Sequence, residues 1–193
     1  MKTLQDIFHA HGFGKVAPWV DLANSEEWDG FGKRTDHLSD AEWLAAFLKY
    51  WNLAPISRGN SFRRPLQKLR DVLRRAAQKL AAGHAMDSGE ISKLNHVLNV
   101  PVRQRLIQGQ NGWRAELVPV TRDVNWTLAQ IAASLTETLA GRQAERVRIC
   151  ANLDCRWIFH DPTKAGTKRW CNDRTCGNRA RVRRARAALK RSA

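Results

Sequence analysis

Cys150-Ala-Asn-Leu-Asp-Cys155, then fifteen residues, then Cys171-Asn-Asp-Arg-Thr-Cys176-Gly177-Asn178-Arg179 hold all four cysteines of the chain. Two short-spaced pairs joined by a longer segment let each pair form a knuckle while the segment folds back, which places four thiolates around one Zn2+ at about 2.3 Å. Two disulfides and four unrelated buried thiols are the alternatives. A reducing compartment argues against the first and the clustering argues against the second. A site closed by Cys150, Cys155, Cys171 and Cys176 keeps no open position for substrate or water, so the single zinc is expected to be structural. Its work is folding, because so short and so charged a segment buries too little apolar surface to hold itself together. Trp157, Ile158, Phe159 and Trp170 are expected to form an apolar cluster beside the metal, with His160 a less favoured substitute ligand.

Downstream of Cys176, Gly177 is expected to take backbone angles closed to other residues, and Asn178 to cap a helix favoured by the Ala and Arg that follow. Val182, Ala185 and Leu189 fall on one face of that helix, and Arg179, Arg183, Arg186 and Lys190 on another. The apolar strip is expected to dock on the zinc module. Guanidinium groups are then free to lie along phosphates or to pair with guanine edges. Residues 150–193 carry twelve basic and three acidic side chains, a net of +9 out of a whole-chain +15. Four thiolates with one Zn2+ would still leave the segment near about +7. The tail lacks the Trp, Phe and repeated Leu of interfacial helices, so nucleic acid is the expected partner and a membrane is not.

Composition changes abruptly near residue 149, so residues 1–148 are read as one helical domain and 149–193 as a four-cysteine module ending in a basic helix. The fold class expected is mainly α (α+β). Ser39-Asp-Ala-Glu42 has the form of a capping box, followed by Trp43, Leu44, Phe47, Leu48 and Trp51 at helical spacing. A second helix is expected from Pro65, burying Leu66, Leu69, Val72, Leu73, Ala76 and Leu80 before Gly83. Its cations, Arg63, Arg64, Lys68, Arg70, Arg74, Arg75 and Lys79, are read as a solvated face rather than a phosphate-contacting surface. A third helix starts near Asp87-Ser-Gly-Glu90 and should bury Ile91, Leu94 and Leu98. A fourth spans about Thr121 to Ala140, with Val124, Leu128, Ile131, Leu135 and Leu139 inward and Gly141 as its stop.

Between the third and fourth helices, Val102–Ile107 and Trp113–Val118 flank the Gly-rich Gln108-Gly-Gln-Asn-Gly112, a hairpin signal. A two-stranded hairpin is marginal alone in water, so it is expected to pack on the helices. Trp19, Trp28, Trp43, Trp51, Trp113 and Trp126 are expected to furnish the core. Nothing here reads as an enzyme: there is no nucleophile elbow or phosphate loop, and His9, His11, His37, His84 and His96 lack metal-ligand spacing. The longest apolar run, Trp43 to Leu48, is far short of the roughly 20 residues a bilayer span needs. Residues 1–6 lack the apolar core of a secretory signal, so a cytoplasmic protein is expected.

The two C-x4-C pairs, Arg169-Trp170-Cys171, and Cys176-Gly177-Asn178-Arg179 with its Arg-rich continuation resemble the CGNR zinc finger over about residues 148–188. This is a bacterial module found at the C-terminus of proteins described as stress-induced transcription regulators. In that family the finger usually follows an ABATE domain, and the order of helix, hairpin and helix here is similar to it. Trp19-Val-Asp21-Leu-Ala-Asn24-Ser25 resembles the family's early Asp and Asn-Thr motif with Ser for Thr, and Leu69-Arg70-Asp71 its Leu-Arg-Glu. The resemblance implies double-stranded DNA as partner, regulation of transcription, and a sensing or interaction role for the first domain.

Lys168, Arg169, Arg174, Asn178, Arg179, Arg181, Arg183, Arg184, Arg186 and Lys190 are the candidate nucleic-acid contacts. Asp21, Asn24 and Arg70 either line an internal polar pocket for a small-molecule effector or form a buried network that sets how two helices meet. The alternative function is an RNA-binding accessory protein, with Trp157 or Trp170 stacking on unpaired bases. One finger with one short helix covers little DNA, and a homodimer on paired half-sites is one way to enlarge the contact.

Overall fold

The computed structural model describes residues 12–54, 62–109 and 112–191. The expected His9, His11 and the Gln110-Asn111 tip of the Gly-rich turn lie outside the described residues. The centre of the molecule is a helix the sequence reading did not single out, α1 (Pro18–Asn24), with Pro18 in its first turn and Trp19, Val20, Leu22 and Ala23 all buried. It packs on the helices at 63–81 and 124–140 through an apolar face. The Trp19 indole also donates to the Thr138 hydroxyl at 2.9 Å, so that ring is buried without an orphaned N–H.

A three-residue ribbon follows, β1 (Glu26–Trp28) antiparallel to β2 (Arg34–Asp36). It leads into α2 (Ala41–Tyr50), which buries Trp43, Leu44 and Phe47. The expected Ser39–Glu42 capping box does not form. The Ser39 hydroxyl is spent on the Asp36 carbonyl, and the Asp40 carboxylate accepts from the N–H groups of Glu42 and Trp43 at 2.8 and 3.3 Å.

Helix α3 (Arg63–Ala81) begins two residues earlier than expected and keeps Pro65 in its first turn, where the missing N–H still leaves nothing unpaired. Leu66, Leu69, Leu73, Ala76 and Ala77 form its buried stripe. It ends in a Schellman arrangement: Gly83 has φ +75°, its N–H donates to Leu80, and His84 N–H donates to Lys79 at 2.9 Å. The cations of this helix are not one solvated face. Arg70 is buried and Arg74 is partly so, donating to the Ala23 carbonyl at 2.7 Å, and together they tie α3 to the end of α1.

Helix α4 (Ser88–Leu98) starts where expected, and its start carries a capping box, with Asp87 and Glu90 each accepting from the other's N–H at 2.9 and 3.0 Å. Glu90 is also held by Lys79 of α3 at 3.0 Å. That contact turns Glu90 and Leu94 inward and rotates Ile91, expected in the core, outward to 47% exposure. Helix α5 (Val124–Ala140), capped by Asp123, buries Leu128, Ile131 and Leu135, with Val124 and Leu139 partly covered.

The hairpin of β3 (Val102–Gly109) and β4 (Gly112–Pro119) pairs over its whole length, from Val102 opposite Pro119 to Gly109 opposite Gly112. It does not pack on the helices as expected. Neither strand makes substantial contact with another element, and Leu106, Trp113 and Leu117 are 67, 67 and 62% exposed. Helices α3, α4 and α5 pack on one another instead. Trp113 is accordingly no part of the core.

A third ribbon, β5 (Val147–Ile149) antiparallel to β6 (Ile158–His160), leads to the last helix, α6 (Asn178–Leu189). Among the described residues the fold is mainly helical with three separate two-stranded antiparallel ribbons. Val147 and Ile158 belong to the same large core as Trp19, Trp43 and Leu135. Among the described residues no helix is long and apolar enough to cross a membrane.

Candidate metal centre and its basic helix

Strand β5 delivers Cys150 directly, and the chain then turns through the first knuckle. Cys150 N–H donates to Trp157 O at 2.8 Å, and Cys155 and Arg156 N–H both donate to Asn152 O at 2.9 and 3.2 Å. Arg156 takes the left-handed φ of +53° that this turn needs. The return segment is organised by Asp161, whose carboxylate accepts from the N–H groups of Thr163 and Lys168 at 2.9 and 2.8 Å. In the second knuckle the Asn172 side chain accepts from Arg174 and Thr175 N–H, starting a turn over Asp173–Gly177 that runs without a break into α6.

The four Sγ atoms of Cys150, Cys155, Cys171 and Cys176 lie within 4.8 Å of one another, and all four cysteines are free. Cys155 to Cys171 is 3.7 Å and Cys171 to Cys176 is 3.9 Å. A tetrahedron of sulfurs at zinc–thiolate bond length has an edge of about 3.8 Å, whereas a disulfide bond is about 2.05 Å. The four cysteines are therefore positioned to coordinate one metal ion, as a structural zinc requires. His160 stands outside this group, and its Nε2 is buried without a hydrogen-bond partner.

Without a cation the cluster cannot hold four negative charges. Hydrogen bonds from Cys155 and Cys171 pull the Cys150 thiol down to about 2, and the same thiolate pushes Cys155 up to about 12 and Cys171 up as well. A divalent ion removes that mutual repulsion. Donors around the sulfurs favour the thiolate form: the Asn152 amide faces Cys176 Sγ at 3.8 Å, and backbone N–H groups serve Cys150 and Cys155. Phe159, Trp157 and Trp170 pack beside the sulfurs as expected. Ile158 does not, because alternation along β6 sends it into the large core.

Two expectations about the exit from the finger are corrected. Gly177 has an ordinary helical φ of −63°, and its lack of a side chain matters for space: a Cβ there would stand 3.2 Å from the Trp170 ring. Asn178 is not a cap, since the helical turn already starts at Asn172.

The apolar strip of α6 does not dock on the zinc module either. No residue of the helix is buried, with Val182 at 41% and Leu189 at 71% exposure. The helix is anchored instead by arginines of its first two turns. Arg179 stacks 3.9 Å from the Phe31 ring and donates to Asp29 O at 3.0 Å, while Arg183 pairs with Asp154 at 2.8 Å. Arg181 donates to Asp173 O, Arg169 lies over Trp170 at 5.4 Å, and Lys168 is 4.0 Å from Asp173. Arg174, Arg184, Arg186 and Lys190 are exposed.

The anchor for Arg179 was missed in the sequence. Asp29-Gly-Phe-Gly-Lys33, the loop joining β1 to β2, reaches the finger through Gly30, whose N–H donates to Asp154 O at 3.0 Å and whose carbonyl accepts from Asn152. Gly30 has φ +83°, and a Cβ on it would collide with the Arg179 guanidinium. Two glycines around an aromatic residue were the available signal. Arg156 reinforces the contact from the finger side, 4.6 Å from the Trp28 ring.

The three polar candidates of the first domain have separate partners. Asp21 Oδ2 accepts from Gly14 N–H and the Trp51 indole, both at 2.7 Å, and burial pushes this carboxyl up to about 7 against those two bonds. Asn24, 1% exposed, clamps the backbone of Ile158, donating to its carbonyl at 2.8 Å and accepting its N–H at 2.9 Å. Arg70 grips Asp36 at 2.7 and 3.2 Å and reaches the Ser25 hydroxyl. Asp21 and Asn24 face a cleft of about 790 Å³ between the first domain and the finger, and Arg70 does not line it. Of the aromatic residues expected to stack on bases, Trp157 packs against Phe13 at 5.1 Å and Trp170 against Gly177.

Comparison with known proteins matches the chain to two family models. Residues 146–188 match the CGNR zinc finger. Residues 17–142 match ABATE, whose description reads "Putative stress-induced transcription regulator". No curated protein matches the chain.

Proposed function

The chain belongs to the ABATE family and ends in a CGNR zinc finger, and from that premise we propose that it is a cytoplasmic, zinc-stabilised regulator of transcription that binds double-stranded DNA through α6 and has no catalytic role. The observation that carries this reading is the helix itself: it is acid-free, has no buried residue and projects from a finger that holds its first turns fixed. Rigid anchorage matters because a preorganised helix loses less conformational freedom on binding than a flexible tail.

Helical spacing divides the cations of α6. Arg179 and Arg183 are committed to the body of the protein. Arg181, Arg184 and Arg191 follow on the opposite side, and Arg186 and Lys190 extend past the contact with the body. Arg174 sits at the second knuckle, close to the start of the helix. The proposed work of the zinc-binding cysteines is to hold this array in place. The chemistry belongs to the side chains: guanidinium groups pair with phosphates, and those that reach the groove pair with guanine edges. Asp21 and Asn24, at the cleft against the finger, are the proposed route by which an effector of the first domain would act on the finger's position.

The test is titration of the full-length zinc-loaded protein with duplex DNA across a range of salt concentrations. If Arg174, Arg181, Arg184, Arg186, Lys190 and Arg191 each neutralise one phosphate, log affinity should fall against log salt with a slope of about −5. Arg181→Ala with Arg184→Ala should reduce that slope by about 2. A slope near zero, or tighter binding to single-stranded RNA at equal salt, would overturn the proposal.

A further inference from the structure

We infer that the β3–β4 hairpin is a dimerisation element, whose uncharged face packs against the same face of a second copy of this chain. The inference stands apart from the nucleic-acid reading, since it rests on a surface remote in sequence from the finger and different from it in chemistry.

The register sets out the two faces. Val102, Leu106, Trp113, Ala115 and Leu117 share one face with Gln104, Gln108 and Pro119, and no member of that face is charged. Arg103, Arg105 and Arg114 occupy the other face together with Ile107 and Val118, and Glu116 there is bonded to Arg105 at 3.0 Å. The hairpin is therefore amphipathic with period two, the pattern of a ribbon that is buried on one side. Among the described residues no other element covers it. Val102 is 41% exposed, Leu106 and Trp113 67%, and Leu117 62%.

A two-stranded ribbon with one wet apolar face is not independently stable, so whatever covers this one must be present whenever the protein is folded, as a second copy is. The exposed area fits a second copy as well. These four side chains present roughly 400–500 Å² of exposed surface, at the upper end of what a monomer carries in one patch. Two such faces together bury about 1,000 Å², the threshold for a specific interface, before the flanking glutamines and Pro119 are counted.

The absence of charge excludes the competing occupants: a phosphate backbone or an acidic peptide would find its counter-charges on the opposite, Arg-bearing face. A two-fold axis through the apolar face makes the contact isologous, with two ribbons stacked about 10 Å apart and the six arginines pointing away from the seam.

The experiment is sedimentation velocity on the full-length zinc-loaded protein. The wild type should run as two chains and stay so at high salt, because the seam is apolar. Leu106→Glu with Leu117→Glu should run as one chain, with helical circular dichroism and one zinc per chain retained. Arg103→Glu with Arg105→Glu, on the other face, should remain two chains. Hydrogen exchange on the wild type covers the case in which the first variant fails to fold: amides of 102–109 and 112–119 should lose protection on dilution. A single-chain mass at high micromolar concentration, a dimer indifferent to the Leu variants, or hairpin protection that appears only on adding DNA would each overturn the inference.

Discussion

Replacing Asn24 with Ala should destabilise the whole protein by about 2–6 kcal/mol, although the side chain lies more than a hundred residues from the strand it holds. The carboxamide serves both backbone polar groups of Ile158 at 2.8 and 2.9 Å, in a site where Asn24 and Ile158 are each 1% exposed. Alanine would leave a buried N–H and a buried carbonyl unpaired, at about 1–3 kcal/mol each. Set against a domain stability of about 5–15 kcal/mol, that is a large fraction of the total.

Because Ile158 pairs with Ile149 next to Cys150, the loss should also loosen the finger. Asn24→Asp should be no milder: the carboxylate still accepts the N–H but turns an acceptor towards the Ile158 carbonyl and buries a charge. Urea unfolding of the zinc-loaded protein, followed by circular dichroism and tryptophan fluorescence, measures the first effect, and zinc release to a chromogenic chelator measures the second. A change under about 1 kcal/mol with an unaltered release rate would refute the reasoning, because a buried pair of orphaned backbone groups cannot be that cheap.

Two further outcomes follow from the same contacts. Chelation of the metal, or Cys171→Ser, should unfold residues 150–177 and remove the helical signal of α6 while leaving α2 to α5; the thermal midpoint of the remainder should fall, since Val147 and Ile158 lie in its core, and an unchanged midpoint would show the two parts to be uncoupled. Asp21 should make stability fall as pH rises from about 4 to about 7. The folded chain keeps a proton there up to about 7, whereas an unfolded chain releases it near about 4, so the contribution is present below that window and is lost across it, by a few kcal/mol at most. The carboxamide of an Asp21→Asn variant can still accept from Gly14 and Trp51 but does not titrate, so the variant's stability measured at several pH values should lack this fall; a variant that parallels the wild type would exclude Asp21 as its source.

Some of this molecule was plain in the linear chain. The C-x4-C spacing names four ligands because thiolate chemistry and knuckle geometry are local properties of a few residues. The helix start near Asp87–Glu90, the Gly83 stop and the stripes of α3 and α5 are equally local, so each was legible before any packing was known. The shortest ribbons were not. Three-residue strands are too brief to show alternation, and the contact of the β1–β2 loop, 29–33, with the finger is made only in the folded chain. The Asp40 cap escaped for a related reason: the Ser39 hydroxyl is spent on the carbonyl of Asp36, whose carboxylate is held by Arg70 of α3.

The basic helix draws the same line most clearly. From the sequence alone, four cysteines with a metal's spacing and an acid-free helix after them were determined, since charge and ligand type are written residue by residue. Tertiary structure decided which arginines are free. Arg179 and Arg183 share a helix face with Arg186 and Lys190, yet Phe31, Asp29 and Asp154 engage the first two because those residues happen to fold beside the finger. Partners brought together across some 150 residues leave no periodic trace in the sequence. For the same reason the hairpin's pattern declared an apolar face, but only the tertiary structure showed that none of the described elements covers it.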